Sequence, residues 1–244
     1  MGLDVYVGPL TRYTLGDWLT VVQQVMQAAG HEVGIVRAEP EPEDIITDPV
    51  TVSAAVRSWQ ANLLNALGDS EGWTDDAELP YWTDKPDWDG YGGMVLLAAY
   101  DEQPELRPGN RRGLLRRETA ADSPHAFQDA PAYKRASANP TTYPTLLSGV
   151  EWWLPIEDGP TVFEAPRLTG QPTRMGRVNQ LVAELKVLAD RLGLDTGEEL
   201  ERLRQAGPPE SPADVETAGR FGLAVFLGLA QAAERASQPL LLDY

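Results

Sequence analysis

Residues 73–91 concentrate the side chains best equipped for recognition chemistry. Trp73, Tyr81, Trp82, Trp88 and Tyr91 are five of the nineteen aromatic residues in the chain, and Asp75, Asp76, Glu78, Asp84, Asp87 and Asp89 stand among them. Flat apolar rings with a polar edge, set beside hydrogen-bond acceptors, suit a sugar, a cationic group or a basic segment of another protein. Trp82, Asp84, Asp87, Trp88, Asp89 and Tyr91 are therefore the candidate ligand- or partner-binding residues. A structural role competes with this one, because a loop of this length needs anchors and aromatics turned into a core provide them. Trp82, beside Pro80 and Tyr81, is expected to be the more buried of the two central tryptophans. Trp88, flanked by Asp87 and Asp89, is expected to be the more accessible.

Asp84, Asp87 and Asp89 also suggest an alternative: a carboxylate-dependent enzyme acting on a saccharide or another polar small molecule. Such chemistry needs two carboxylates facing each other across a cleft, roughly 5–9.5 Å apart. Arg107, Arg111, Arg112, Arg116 and Arg117 form a basic cluster. Guanidinium forks bind phosphate or carboxylate, so Arg111, Arg112 and Arg116 are candidate anion-binding residues, unless they pair with the chain's own acids. Ser123, His125, Asp122 and Asp129 are neighbours in sequence, but a catalytic triad is defined in space. Both His125 and His31 are read as structural or exposed residues.

Other signatures fail. The chain has no G-x-S-x-G and no H-E-x-x-H. Gly170 to Arg177 lacks P-loop spacing, and Gly90-Tyr91-Gly92-Gly93 has Val95 where a dinucleotide fingerprint needs its last glycine. Aligning Gly90 with the glycine of an EF-hand loop puts Lys85 and Leu96 where acidic ligands belong. Cysteine is absent, which removes disulfides, thiolate metal sites and thiol nucleophiles. No metal and no cofactor is expected.

The 244 residues, 42% hydrophobic and 23% charged, have globular composition. The net charge of −17 argues against a nucleic-acid binder. That charge is uneven: residues 38–105 carry sixteen acids against Arg57 and Lys85 alone, whereas residues 106–135 are net basic. An acidic stretch of this kind keeps a protein soluble, or steers a basic partner through its field. Seventeen of the twenty basic residues are arginine, which the codon bias of a GC-rich bacterial genome explains. No export signal or membrane span is read, and a cytoplasmic location is expected.

The elements that must position these residues follow from periodicity. Residues 3–7 alternate as a strand, and a helix is expected from Leu15 to Gly30 on Trp18, Val21, Val22, Val25 and Met26. A strand over 31–37 would complete a βαβ unit. Asp48-Pro49 should cap a helix running to Gly68, and residues 69–91 read as a long acidic loop. A buried helix should run from Gly92 or Gly93 to Tyr100, with a short one around 125–135. Glu151 to Ile156 and Thr161 to Ala165, joined through Asp158-Gly159, read as a hairpin. Helices are expected over 174–192, 196–205 and 212–236, the last capped by Ser211. The tail Pro239–Tyr244 should add a strand or dock on the core.

These elements predict one α+β domain over 1–244, a small mixed sheet packed with a helical majority. Leu3-Asp4-Val5-Tyr6-Val7-Gly8, Thr11-Arg12-Tyr13, Gly16-Asp17-Trp18 and Glu151-Trp152-Trp153-Leu154-Pro155 resemble parts of a family of uncharacterised acidic bacterial proteins. The resemblance implies no activity. The leading functional expectation is a non-enzymatic binding protein, inhibitor- or immunity-like, for a basic partner protein or a polar small molecule.

Overall fold

Leu3, Val5 and Val7 alternate with Asp4 and Tyr6. In a computed structural model, which describes residues 2–31, 48–68, 72–108, 123–194, 197–210 and 212–244, this alternation becomes strand β1 (Asp4–Val7). Leu3, Val5 and Val7 enter one hydrophobic cluster and Tyr6 enters a second on the opposite face, so β1 is covered on both sides. The other strands are β2 (Trp82–Asp84), β3 (Trp152–Leu154), β4 (Val162–Pro166), β5 (Pro172–Arg177) and β6 (Leu240–Asp243). They form one six-stranded sheet in the order β2-β1-β6-β3-β5-β4. The structure is 55% helix and 12% strand with a mixed sheet, an α+β fold.

Around the sheet lie α1 (Leu10–Leu15), α2 (Val21–Ala28), α3 (Pro49–Leu67), α4 (Asp87–Glu102), α5 (Pro131–Ala136), α6 (Pro144–Leu147), α7 (Val178–Arg191), α8 (Gly197–Ala206) and α9 (Val215–Ala236). Helices α4, α7 and α9 supply the cluster on the Val5 face; α1, α3 and Trp73 supply the one on the Tyr6 face.

Several elements differ from the expected ones. The strand expected over 31–37 lies mostly outside the described residues. The edges of β1 are taken by antiparallel β2 and β6, so its direct neighbours come from residues 82–84 and 240–243. The tail is thus a central strand. The helix expected from Leu15 is split: Gly16 takes a left-handed φ of 65° and ends α1, and α2 starts afresh from a Thr20–Gln23 capping box. Its apolar stripe is not core, since Val22, Val25 and Met26 are exposed.

The 151–165 hairpin does not form. β5 inserts between the two runs, parallel to β3 and antiparallel to β4. The tight turn falls instead at Gly170, whose φ is 83° and whose N–H bonds to the Arg167 carbonyl at 2.9 Å. Prolines 155 and 160 flank the Asp-Gly pair and disfavour pairing there. The last helix is capped by Asp214, which accepts the Thr217 N–H at 2.8 Å, while Ser211 lies outside the described residues. Asp48 does cap α3, and Gly68 closes it in the left-handed region.

The largest departure is at residues 82–91. The expected loop ends at Tyr81; residues 82–84 are edge strand, and α4 begins at Asp87, before its glycines. Glycine costs a helix about 1 kcal/mol each, so Gly90, Gly92 and Gly93 argue against helix locally. Packing overrides this cost, because α4 and α9 cross backbone to backbone. A Cβ on Gly93 would come within 2.6 Å of the Gly219 N, and one on Gly222 within 2.1 Å of the Gly90 carbonyl oxygen.

Candidate functional site

The first half of the 73–91 segment is anchoring. Trp73 is buried, and its carbonyl accepts from Gln60 Nε2 at 2.7 Å. Asp75 accepts the Leu10 and Thr11 backbone N–H groups at 2.6 and 3.0 Å, capping α1. The Arg12 Nε donates to the Ala77 carbonyl at 2.6 Å, with its guanidinium 5.0 Å from the Tyr81 ring centre. Tyr91 is also an anchor, buried against Phe127 and Phe226. Burial pushes its phenol well above the usual range. It therefore leaves the set of binding candidates.

The two central tryptophans exchange places. Trp82, on the edge strand, is the exposed one at 37%. Trp88 lies half-buried in the first turn of α4, with the Tyr91 ring 6.3 Å away and the Tyr244 ring 5.3 Å away. Flanking carboxylates did not keep Trp88 in water, because the helix turns Asp87, Trp88 and Asp89 in three different directions.

Asp84, Asp87 and Asp89 do not share a cleft. Asp84 takes the Lys85 N–H at 2.8 Å and Arg204 Nη2 at 3.2 Å. Asp87 lies 3.6 Å from Lys85 Nζ, and Asp89 lies 3.6 Å from His125. Each carboxylate is turned to its own base. Arg111, Arg112 and Arg116 lie outside the described residues.

Asp84 and Asp87 instead join residues that the sequence did not single out. Register places Val5 opposite Asp84 and Asp4 opposite Asp243, so three carboxylates collect at one end of the sheet. Asp4 sits among them with one oxygen buried and without a hydrogen-bond partner. Burial raises its carboxyl pKa, and Asp243, Asp87 and Asp84 push it the same way while Lys85 opposes them. The Lys85 stem lies over Gly2, where a Cβ would meet Nζ at 2.5 Å. Lys85 at Asp87 and Arg204 at Asp84 are thus set against a cluster of four carboxylates.

A cleft of about 310 Å³ opens beside this cluster, lined by Tyr13, Glu151, Arg167, Thr173, Asp243 and Tyr244. The Tyr13 hydroxyl donates to Asp243 at 2.7 Å. Arg167 bonds Glu151 and Thr173, its guanidinium 5.4 Å from the Trp152 ring centre. Tyr244 hydrogen-bonds within the Glu151–Arg167 pair, yet remains 57% exposed. The Trp88–Tyr244 ring pair thus joins the cleft to the carboxylate cluster. Asp4 and Asp243 carried a sequence signal as polar residues ending apolar strands, but their pairing depended on the tail becoming a central strand.

Among the described residues no group of His, Cys, Asp and Glu could hold a metal ion, and no helix is long and apolar enough to cross a membrane. No protein-family model, curated protein or solved structure matches the chain.

Proposed function

We propose that the protein binds a basic partner at the carboxylate-rich end of its sheet, without itself catalysing a reaction. The observation carrying this reading is the gathering of Asp4, Asp84, Asp87 and Asp243 at one end of the sheet, with an Asp4 oxygen buried and unpartnered. Four carboxylates beside two cations, Lys85 and Arg204, leave a local negative excess, and the overall charge of −17 adds to it. Such a field favours approach of a cationic segment and disfavours anions. Trp88 and Tyr244 supply adjacent aromatic faces, one half-buried and one exposed, on which a guanidinium or ammonium stem can lie. Asp84, Asp87 and Asp89 are each turned to a separate base, which gives the paired-carboxylate alternative no comparable support.

Calorimetric titration with an octa-arginine peptide tests the reading. The double variant D87N/D243N removes two charges at the site. E157Q/D158N removes two in the connection that follows β3, at the opposite end of that strand. The site variant should weaken binding at least about fivefold more than the control, and added salt should weaken wild-type binding steeply. Equal effects of the two variants would mean that only net charge matters and would overturn the proposal.

A further inference from the structure

Helix α8 has no buried residue; only Leu200 and Leu203 lie partly buried against the core. It borders a groove of about 400 Å³ between α7 and α9, with Ala189, Leu194, Leu200, Ala224 and Leu227 among its lining residues. Its tie to the carboxylate-rich end of the sheet is Arg204. Nη2 of that residue meets Asp84 at 3.2 Å, and Nη1 meets Glu201, on α8 itself, at 3.4 Å. The guanidinium packs over Gly228 of α9: a Cβ there would come within 3.1 Å of Nη1 and 3.3 Å of Cζ. Nε is buried and finds no hydrogen-bond partner. Arg204 therefore sits at Asp84 with its hydrogen bonds incompletely made, in a pair with side chains 36% and 21% exposed. Partly exposed ion pairs are individually weak, and an unmet buried donor weakens this one further.

We propose that Arg204 is an internal stand-in for an arginine of the partner, and that α8 is a strap released when a partner guanidinium takes Asp84. The inference rests on the basic-partner reading above. Arginine is favoured over lysine because a planar fork fits the slot that Gly228 leaves beside Asp84, whereas an ammonium is a point charge with no such shape. Displacement frees Arg204 to satisfy Nε in water. It also uncovers the apolar floor of the groove, which extends the surface available to the partner beyond the carboxylates.

Hydrogen–deuterium exchange on the full chain tests this with octa-arginine and octa-lysine as probes. D84N removes the tie to the sheet. E201Q removes the same charge from a pair internal to α8, which cannot attach the helix to anything else. D84N should raise exchange in α8 about two- to fivefold, the range for losing a partly exposed ion pair, and leave α7 and α9 unchanged. E201Q should leave α8 within twofold of wild type. Octa-arginine should speed α8 exchange in wild type more than octa-lysine does, and add nothing in D84N. Unchanged α8 exchange in D84N overturns the latch. Octa-arginine that protects residues 84–89 while α8 stays at its free rate overturns the displacement and leaves the basic-partner reading standing. Octa-arginine that binds nowhere overturns that reading together with the displacement, whereas the D84N result decides the latch by itself.

Discussion

Gly222→Ala isolates the α4–α9 crossing that carries α4, and with it Trp88, to the site. In an open helix this change would stabilise by about 1 kcal/mol, the propensity difference between glycine and alanine. Here the new Cβ would sit 2.1 Å from the Gly90 carbonyl oxygen and 2.4 Å from its carbonyl carbon. Both are backbone atoms, so no rotamer change relieves the clash. The helices must move apart by about 1 Å to reach ordinary contact. Overpacking of this kind costs about 1–3 kcal/mol beyond the propensity gain. For a chain of this size that corresponds to a fall in Tm of roughly 2–12 °C. Gly228→Ala, six residues along the same helix, is the matched control. The nearest atoms to its Cβ would be those of the Arg204 guanidinium, at 3.1 Å and beyond, the far end of a long side chain. It should stay within about 1 kcal/mol of wild type. Differential scanning calorimetry of the two variants decides the matter. A Gly222→Ala melt at or above the wild-type Tm would refute the crossing.

Trp82→Ala should change stability by less than about 0.5 kcal/mol, as expected for an exposed surface residue, whereas Trp88→Ala should cost about 1–3 kcal/mol by losing its contacts with the core and Tyr244; thermal melts showing the reverse order would contradict the placement of both rings. Burial raises the Glu184 carboxyl from 4.5 to about 7, against hydrogen bonds from the Thr145 and Leu146 N–H groups, the Thr145 hydroxyl and Gln180 that favour its charged form. An unfolded chain loses this proton near pH 4.5 and the folded chain holds it to about pH 7, so the contribution of Glu184 to stability falls by about 3 kcal/mol as pH rises through that window. Glu184→Gln, which cannot titrate, should remove that slope, and a Tm difference from wild type that stays constant between pH 4.5 and 7.5 would refute it. Glu102 accepts the backbone N–H groups of Thr141, Thr142 and Tyr143 at 2.7–3.2 Å; Glu102→Ala should cost about 1–2 kcal/mol in chemical denaturation by removing these charge-assisted hydrogen bonds, with an unchanged midpoint as the contrary result.

Local signals are reliable where local forces decide. Asp48-Pro49 and Gly68 bound α3 as their capping chemistry requires, and the alternation at Leu3–Val7 gives β1. The signals misled where a distant partner decides. Three glycines in four residues argue against helix until the glycines of α9 arrive against them, so the start of α4 could not be placed from its own residues. Asp158-Gly159 is a good hairpin turn in isolation, but β5 offers β3 a parallel partner and takes β4 on its other edge. The site was half legible for the same reason. Asp84, Asp87 and Trp88 are conspicuous in an acidic aromatic run. Asp4, Asp243 and Tyr244 are unremarkable until the two ends of the chain pair as β1 and β6.

The central claim is that a basic partner binds at one end of the sheet, and an amide and indole NMR titration with octa-arginine tests it most directly. Shifts should concentrate at residues 2–5, 84–89 and 241–244 and at the Trp88 indole N–H, with the buried Trp73 and Trp153 indoles unmoved. Shifts spread evenly over the acidic surface, or centred on residues 154–160 at the far end of β3, would contradict it.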